Sequence, residues 1–303
     1  MHIARWGRSW LRHLMVAVSY AIAYVVLRHF TISHWQLTAG FRVACLLLFP
    51  QRYWLALFMG DALSAGGTLY SCVVDRGLLW GVSFALAPMG LTMATVQFCK
   101  KYLPVIDAER RVVFRSLMLC IFACTLSTVA ANILEYALMS GLPSGTRWSL
   151  AHLDSYCYLW FLGAGLGIYM IVPLALWAYT EGDPTWRNIL TNVVRSRVLL
   201  SALCFLLPIL YLLDYTIVYA HAEAIKHICQ VAMLLAPSWF AWRYGWQGAS
   251  VACMFANLAV MLPIPPLYDP HVLQTQTLMM VSSTLWLLVS ARTSTFRLPE
   301  TRT

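Results

Sequence analysis

Four ionisable side chains, Arg42, Asp61, Glu135 and Asp214, stand inside stretches that are otherwise apolar. A charge in such surroundings costs about 3 kcal/mol on insertion scales unless it finds a partner, so each asks for a counter-charge, a ligand or a route to water. Pro50 lies between Arg42 and Asp61 in the chain. If proline ends one helix and a second helix follows, a rise of about 1.5 Å per residue sets both charges roughly 12–15 Å from the turn. The two are therefore predicted to pair across a helical hairpin, either as a brace or as the place where an anionic ligand or a switch acts. Glu135 and Asp214 fall near the ends of two later apolar stretches. There they face a shared cavity or reach toward water as helix-end residues.

Other reactive patterns are missing. The sequence holds no HExxH, no GxSxG, no Walker lysine and no paired aspartate motif within an apolar run, so the chain is not expected to be an enzyme and no residue calls for a cofactor. The nine cysteines lie within or at the ends of apolar runs without the spacing of a zinc site or a disulfide scaffold, which makes them small packing residues. His221, Glu223 and His227 are close in sequence, but positions i and i+6 do not share a helix face, and no metal site is expected.

The elements that must position these groups are long and greasy. Ten apolar stretches, 14–27, 38–49, 53–74, 78–98, 112–139, 156–179, 198–219, 228–242, 247–262 and 272–291, occupy most of the 303 residues. Most approach the roughly 20 residues that cross a bilayer. The second is short, and is expected to be tilted, broken or re-entrant, which is tolerated where protein rather than lipid surrounds the backbone. Charged residues make up only 11% of the chain, against about 25% in soluble domains. The expected fold class is all-α: a polytopic integral membrane bundle of about ten transmembrane helices.

The net charge of +9 is explained by topology, with no nucleic acid as partner. Sixteen of the 21 Lys and Arg fall in one alternating set of connections, which includes Arg5, Arg8, Arg12, Arg52, Lys100, Lys101, Arg110, Arg111 and Arg115. Only Arg28, Arg76, Arg147 and Lys226 fall in the other set. Positive charge near helix ends stays in the cytoplasm, which predicts that both termini are cytoplasmic. The chain then divides into a cytoplasmic N-terminus 1–13, a transmembrane domain 14–291 and a cytoplasmic tail 292–303. Six of the eight histidines, His29, His34, His152, His221, His227 and His271, fall on the external side. Histidine titrates near about pH 6.5, yet a surface role is the simpler reading. Tyr53, Trp54, Trp148, Trp239, Trp242, Tyr244 and Trp246 are expected to form interfacial belts. Gly163, Gly165 and Gly167 suit close helix packing.

Two stretches are more specific than hydropathy. Residues 35–63 read WQLTAGFRVACLLLFPQRYWLALFMGDAL and residues 160–173 read WFLGAGLGIYMIVP. Together they resemble the MASE1 family, membrane-integral sensory domains of bacteria. The matching positions are Trp35, Gly40, Arg52, Tyr53, Trp54 and Gly60 in the first motif and Trp160, Gly167 and Pro173 in the second. The resemblance implies a sensory module in the bacterial inner membrane with the lipid bilayer as its surroundings. It also implies an output protein of the histidine kinase or diguanylate cyclase type. Because twelve residues follow the last span, the signal is expected to leave through a separate protein. The rival expectation is a transporter or permease subunit with Arg42, Asp61, Glu135 and Asp214 along its path.

Overall fold

A computed structural model describes residues 2–29, 36–107, 111–140, 153–181, 196–219, 222–261 and 270–296. Nine helices, numbered here in chain order, are present among them. They are α1 (His2–His29), α2 (Leu37–Leu48), α3 (Trp54–Arg76), α4 (Leu78–Tyr102), α5 (Phe114–Ser140) and α6 (Leu153–Glu181). The rod α7 consists of Arg197–Ser201, a π-helical turn Ala202–Leu206 and Leu207–Tyr219. Last come α8 (Glu223–Met261) and α9 (Pro270–Phe296). Gly245 breaks α8 into two arms with φ 63°, a conformation that a side chain disfavours. Counted by arms, the described residues hold ten helical segments.

The fold is all-helical. The described residues contain no strand beyond an isolated bridge between Ile106 and Val112, which closes the α4–α5 connection. Among the described residues, five helical spans are by themselves long and apolar enough to cross a membrane: Trp10–His29, Gly81–Tyr102, Phe114–Leu138, Leu153–Thr180 and Arg197–Ile217. The helix α1 is mostly exposed and α6 mostly buried, so α6 forms the axis of the packing and α1 an outer stave.

The shortness of α2 has a packing explanation. Its 12 residues span only about 18 Å, too little for a hydrocarbon core of about 30 Å. But Leu37, Ala39, Gly40, Val43, Ala44, Leu46 and Leu47 are all buried, so neighbouring helices rather than lipid surround it. Phe49 is already extended and Pro50 follows. Trp54 Nε1 and Lys100 Nζ each donate to the Phe49 carbonyl at 3.3 Å, satisfying a group that the broken helix leaves open.

Helices α2 and α6 approach backbone to backbone. A methyl group on Gly40 would overlap the Gly167 carbonyl, and one on Gly167 would overlap the carbonyl of Gln36. The Gln36 amide also donates to the Gly163 carbonyl at 3.1 Å. In lipid, where apolar area drives helix association little, this backbone proximity supplies the dispersion contacts that hold helices together. Gly40→Ala should therefore destabilise the protein by about 1–3 kcal/mol, the usual range for overpacking. Gly66, with open space around the position of its missing Cβ, should accept alanine without loss. Thermal unfolding of the two variants in detergent, followed by size-exclusion profile, separates these outcomes, and equal melting temperatures would remove the seam from the argument.

Candidate functional site

On α1, Tyr20, Tyr24 and Arg28 recur at intervals of four, one helical face. Thr38 and Arg42 do the same on α2, as do Asp61 and Ala65 on α3. Thr128, Asn132 and Glu135 form a stripe on α5. Except for Tyr20, the residues of these four faces, with Phe84, Ala85 and Pro88 of α4, line one cavity of about 210 Å³.

At its inner wall Arg42 and Asp61 meet across the α2–α3 hairpin. Arg42 Nη2 lies 3.3 Å from Asp61 Oδ2, and Nε lies 3.4 Å from Oδ1. Both residues are buried, at 4% and 5% exposure. The Tyr20 hydroxyl donates to Asp61 Oδ1 at 2.9 Å. Arg42 Nη2 donates to the Tyr24 hydroxyl at 3.4 Å, and its guanidinium carbon stands 5.8 Å from the Tyr24 ring centroid. Tyr20 stacks on Phe41 with centroids 5.0 Å apart, which holds its hydroxyl on the carboxylate. A buried pair survives only when such hydrogen bonds satisfy what remains of each charge.

The rest of the cavity is polar and less fully paired. Arg28 is exposed and marks the mouth at the end of α1. Glu135 lies within Coulombic range of Arg42. Asn132 Nδ2 is buried without a hydrogen-bond partner, a donor aimed at nothing the described protein supplies. Chemically the site offers two guanidinium groups, Arg28 and Arg42, and an amide donor for an anion, beside two carboxylates, Asp61 paired with Arg42 and Glu135.

Asp214 is not there. It is buried on α7, which packs on α8, whereas α5 packs on α4 and α6. Of the two alternatives for Glu135 and Asp214, a shared cavity or separate helix-end positions, the packing brings only Glu135 to the Arg42 cavity. Of the histidines expected on the external side, His29 is exposed at the end of α1, and His227 is exposed with Nδ1 3.2 Å from Gln230 Oε1. His34, His152, His221 and the side chain of His271 lie outside the described residues. Among the described residues no three His, Cys, Asp or Glu side chains gather as metal ligands.

The motif positions do structural work around this site. Gly40 and Gly167 form the α2–α6 seam. Gly60, where a Cβ would come 2.6 Å from the Ala17 carbonyl, lets α1 close on α3 so that Tyr20 reaches Asp61. Arg52 and Tyr53 shape the corner after Pro50, the guanidinium 4.9 Å from the Tyr53 ring. Trp54 is 5% exposed, which corrects its assignment to an interfacial belt: the α2–α3 corner folds it inward beneath Lys100, whose Nζ is 5.2 Å from the ring. Trp160 packs on Tyr136 and Tyr156. Pro173 is buried within α6, and Trp35 lies outside the described residues.

The MASE1 family profile matches residues 11–296, nearly the whole chain. The chain belongs to the MASE1 family. MASE1 is a membrane-associated sensory domain family, which agrees with apolar helices that enclose a small polar cavity. No curated protein and no solved structure matches the chain.

Sequence reasoning missed Tyr20, Tyr24 and Asn132 in this MASE1 domain. The four-residue spacing of Tyr20, Tyr24 and Arg28 on an apolar helix was the available signal. Asp61→Asn should strand Arg42 and cost about 3–5 kcal/mol, while the double change Arg42→Met with Asp61→Leu should recover most of it. Tyr20→Phe should cost about 1.5–3 kcal/mol, the worth of a hydrogen bond to a charged group. Melting curves in one detergent test all three, and an Asp61→Asn protein as stable as wild type would show that the pair is dispensable.

Proposed function

We propose that this MASE1 domain is a receptor of the bacterial inner membrane rather than an enzyme. It crosses ten times with both termini cytoplasmic, and it admits a small polar, anion-bearing stimulus at the Arg42 cavity. The carrying observation is the buried Arg42–Asp61 pair at the wall of a polar cavity shared by five helices. The sixteen basic residues in one set of connections support the orientation.

The coupling follows from which helix owns which partner. Arg42 belongs to α2, Asp61 to α3, and the tyrosines that bridge them to α1. An anion that draws Arg42 toward itself weakens the hold of all three helices on one another. The α1 and α3 helices run from the cavity to the basic end of the bundle, where α4 leads into the connection at residues 99–115. A change in helix arrangement there is presented to a separate signalling protein of the histidine kinase or diguanylate cyclase type. The shift can be no larger than the difference in the stimulus's affinity for the two arrangements. A permease would require the four intramembrane charges along one path, and Asp214 sits apart from the other three.

Hydrogen exchange in nanodiscs tests the coupling. Arg42→Lys and Glu135→Gln alter only the cavity, yet each should change protection of residues 99–115 by about five-fold or more, the lower end of typical coupling energies. Exchange changes confined to the cavity helices would sink the receptor reading, as would solute accumulation by proteoliposomes containing the chain alone. Reporter fusions at residue 303 and within 141–152 should report opposite sides of the membrane.

A further inference from the structure

A second cavity lies between α1 and α3, at the other end of these helices from the Arg42 cavity mouth. It measures about 440 Å³ and is walled by Leu14, Ala17, Leu55 and Met59, with Trp10, His13 and Arg52 at one end. Leu14, Leu55 and Met59 each expose more than half their area, so the groove opens sideways. Its polar end is organised: His13 Nε2 lies 3.1 Å from the Arg52 carbonyl, and the His13 and Tyr53 ring centroids are 5.0 Å apart. The Arg52 guanidinium sits over the same Tyr53 ring. It is exposed and makes no ion pair with a described carboxylate. Arg12, also exposed, adjoins His13 in the chain.

An apolar lateral groove accepts a hydrocarbon chain, and any lipid offers one. The charge at its end is what discriminates. Trp10 and Tyr53 place this end at the level where aromatic side chains mark the membrane surface, the depth of a lipid phosphate. An Arg with no counter-ion among the described residues at that depth favours a headgroup of net negative charge over a zwitterion, whose own ammonium already neutralises the phosphate.

We propose that this groove binds one anionic phospholipid, with an acyl chain along Leu14, Leu55 and Met59 and the headgroup phosphate at Arg52. The bound lipid bridges α1 to the α2–α3 corner, so it braces the helix that carries Tyr20 and Tyr24. The site stands on the membrane location of the chain and not on the receptor reading.

Native mass spectrometry of the full chain released from detergent tests it, using phosphatidylglycerol and phosphatidylethanolamine with identical acyl chains. Wild type should retain one phosphatidylglycerol with about five-fold preference, the factor contributed by one basic group at an anionic surface, and Arg52→Gln should bring the two lipids within about two-fold. Arg197→Gln, at an exposed basic residue away from the groove, should keep the wild-type preference. If Arg52→Gln lowers the melting temperature, Met59→Trp gives the second reading, since filling the groove should remove both lipids alike. Equal retention of the two lipids by wild type would overturn the proposal, as would an unchanged preference in Arg52→Gln or full lipid binding in Met59→Trp. Displacement by glycerol 3-phosphate, which lacks acyl chains, would mark a soluble phosphate site and overturn it too.

Discussion

Carrying a guanidinium into a low-dielectric interior commits the surrounding structure to neutralising it, and much of this bundle's first half is arranged to that end. Arg42 is buried on a helix of only three turns, and its counter-charge comes from the next helix after a sharp corner. Two oxygens on Asp61 leave acceptor capacity beyond what Arg42 uses, and Tyr20 occupies part of it. The outer helix α1 is thereby tied to the hairpin by polar bonds that lipid does not compete for. Had the pair been exposed to water, the same contacts would be worth little.

Close backbone packing makes that polar arrangement possible. Glycines at the α2–α6 seam and at Gly60 let two pairs of helices, α2 with α6 and α1 with α3, approach until side chains can reach across. Because α2 is enclosed by protein, it can be too short to span the hydrocarbon and can end at Pro50, and Trp54 and Lys100 cover the carbonyl left open. Among the family-motif positions, Gly40, Gly60 and Gly167 fall at points of backbone contact, and Arg52 and Tyr53 at a chain reversal.

Parts of this were legible in residue order. Apolar runs separated by basic connections mark ten helical segments, because lipid as a solvent demands internally hydrogen-bonded stretches. Arg42 and Asp61 could be matched by depth, since Pro50 marks the turn and helix rise converts residue count to distance. The roles of Trp54 and Lys100 were not legible. Hydropathy places both at a helix end, but whether such a residue faces lipid headgroups or a neighbouring helix depends on how the corner turns. The surroundings of Asp214 stayed open in the sequence for a related reason: similar depth in two helices says nothing about whether those helices touch.

Sequence alone determined the solvent of this protein, its helical class, the approximate ends of its segments, its family and the need to pair Arg42. Those follow from local composition and from costs each residue meets wherever its helix stands. Tertiary structure alone decided that Tyr20 and Tyr24 complete the pair, that Glu135 joins the cavity and Asp214 does not, and that a groove ending in Arg52 opens between α1 and α3. Those depend on which faces of which helices meet, and helix azimuth and neighbour choice are set by packing across the whole bundle rather than by any one stretch of chain.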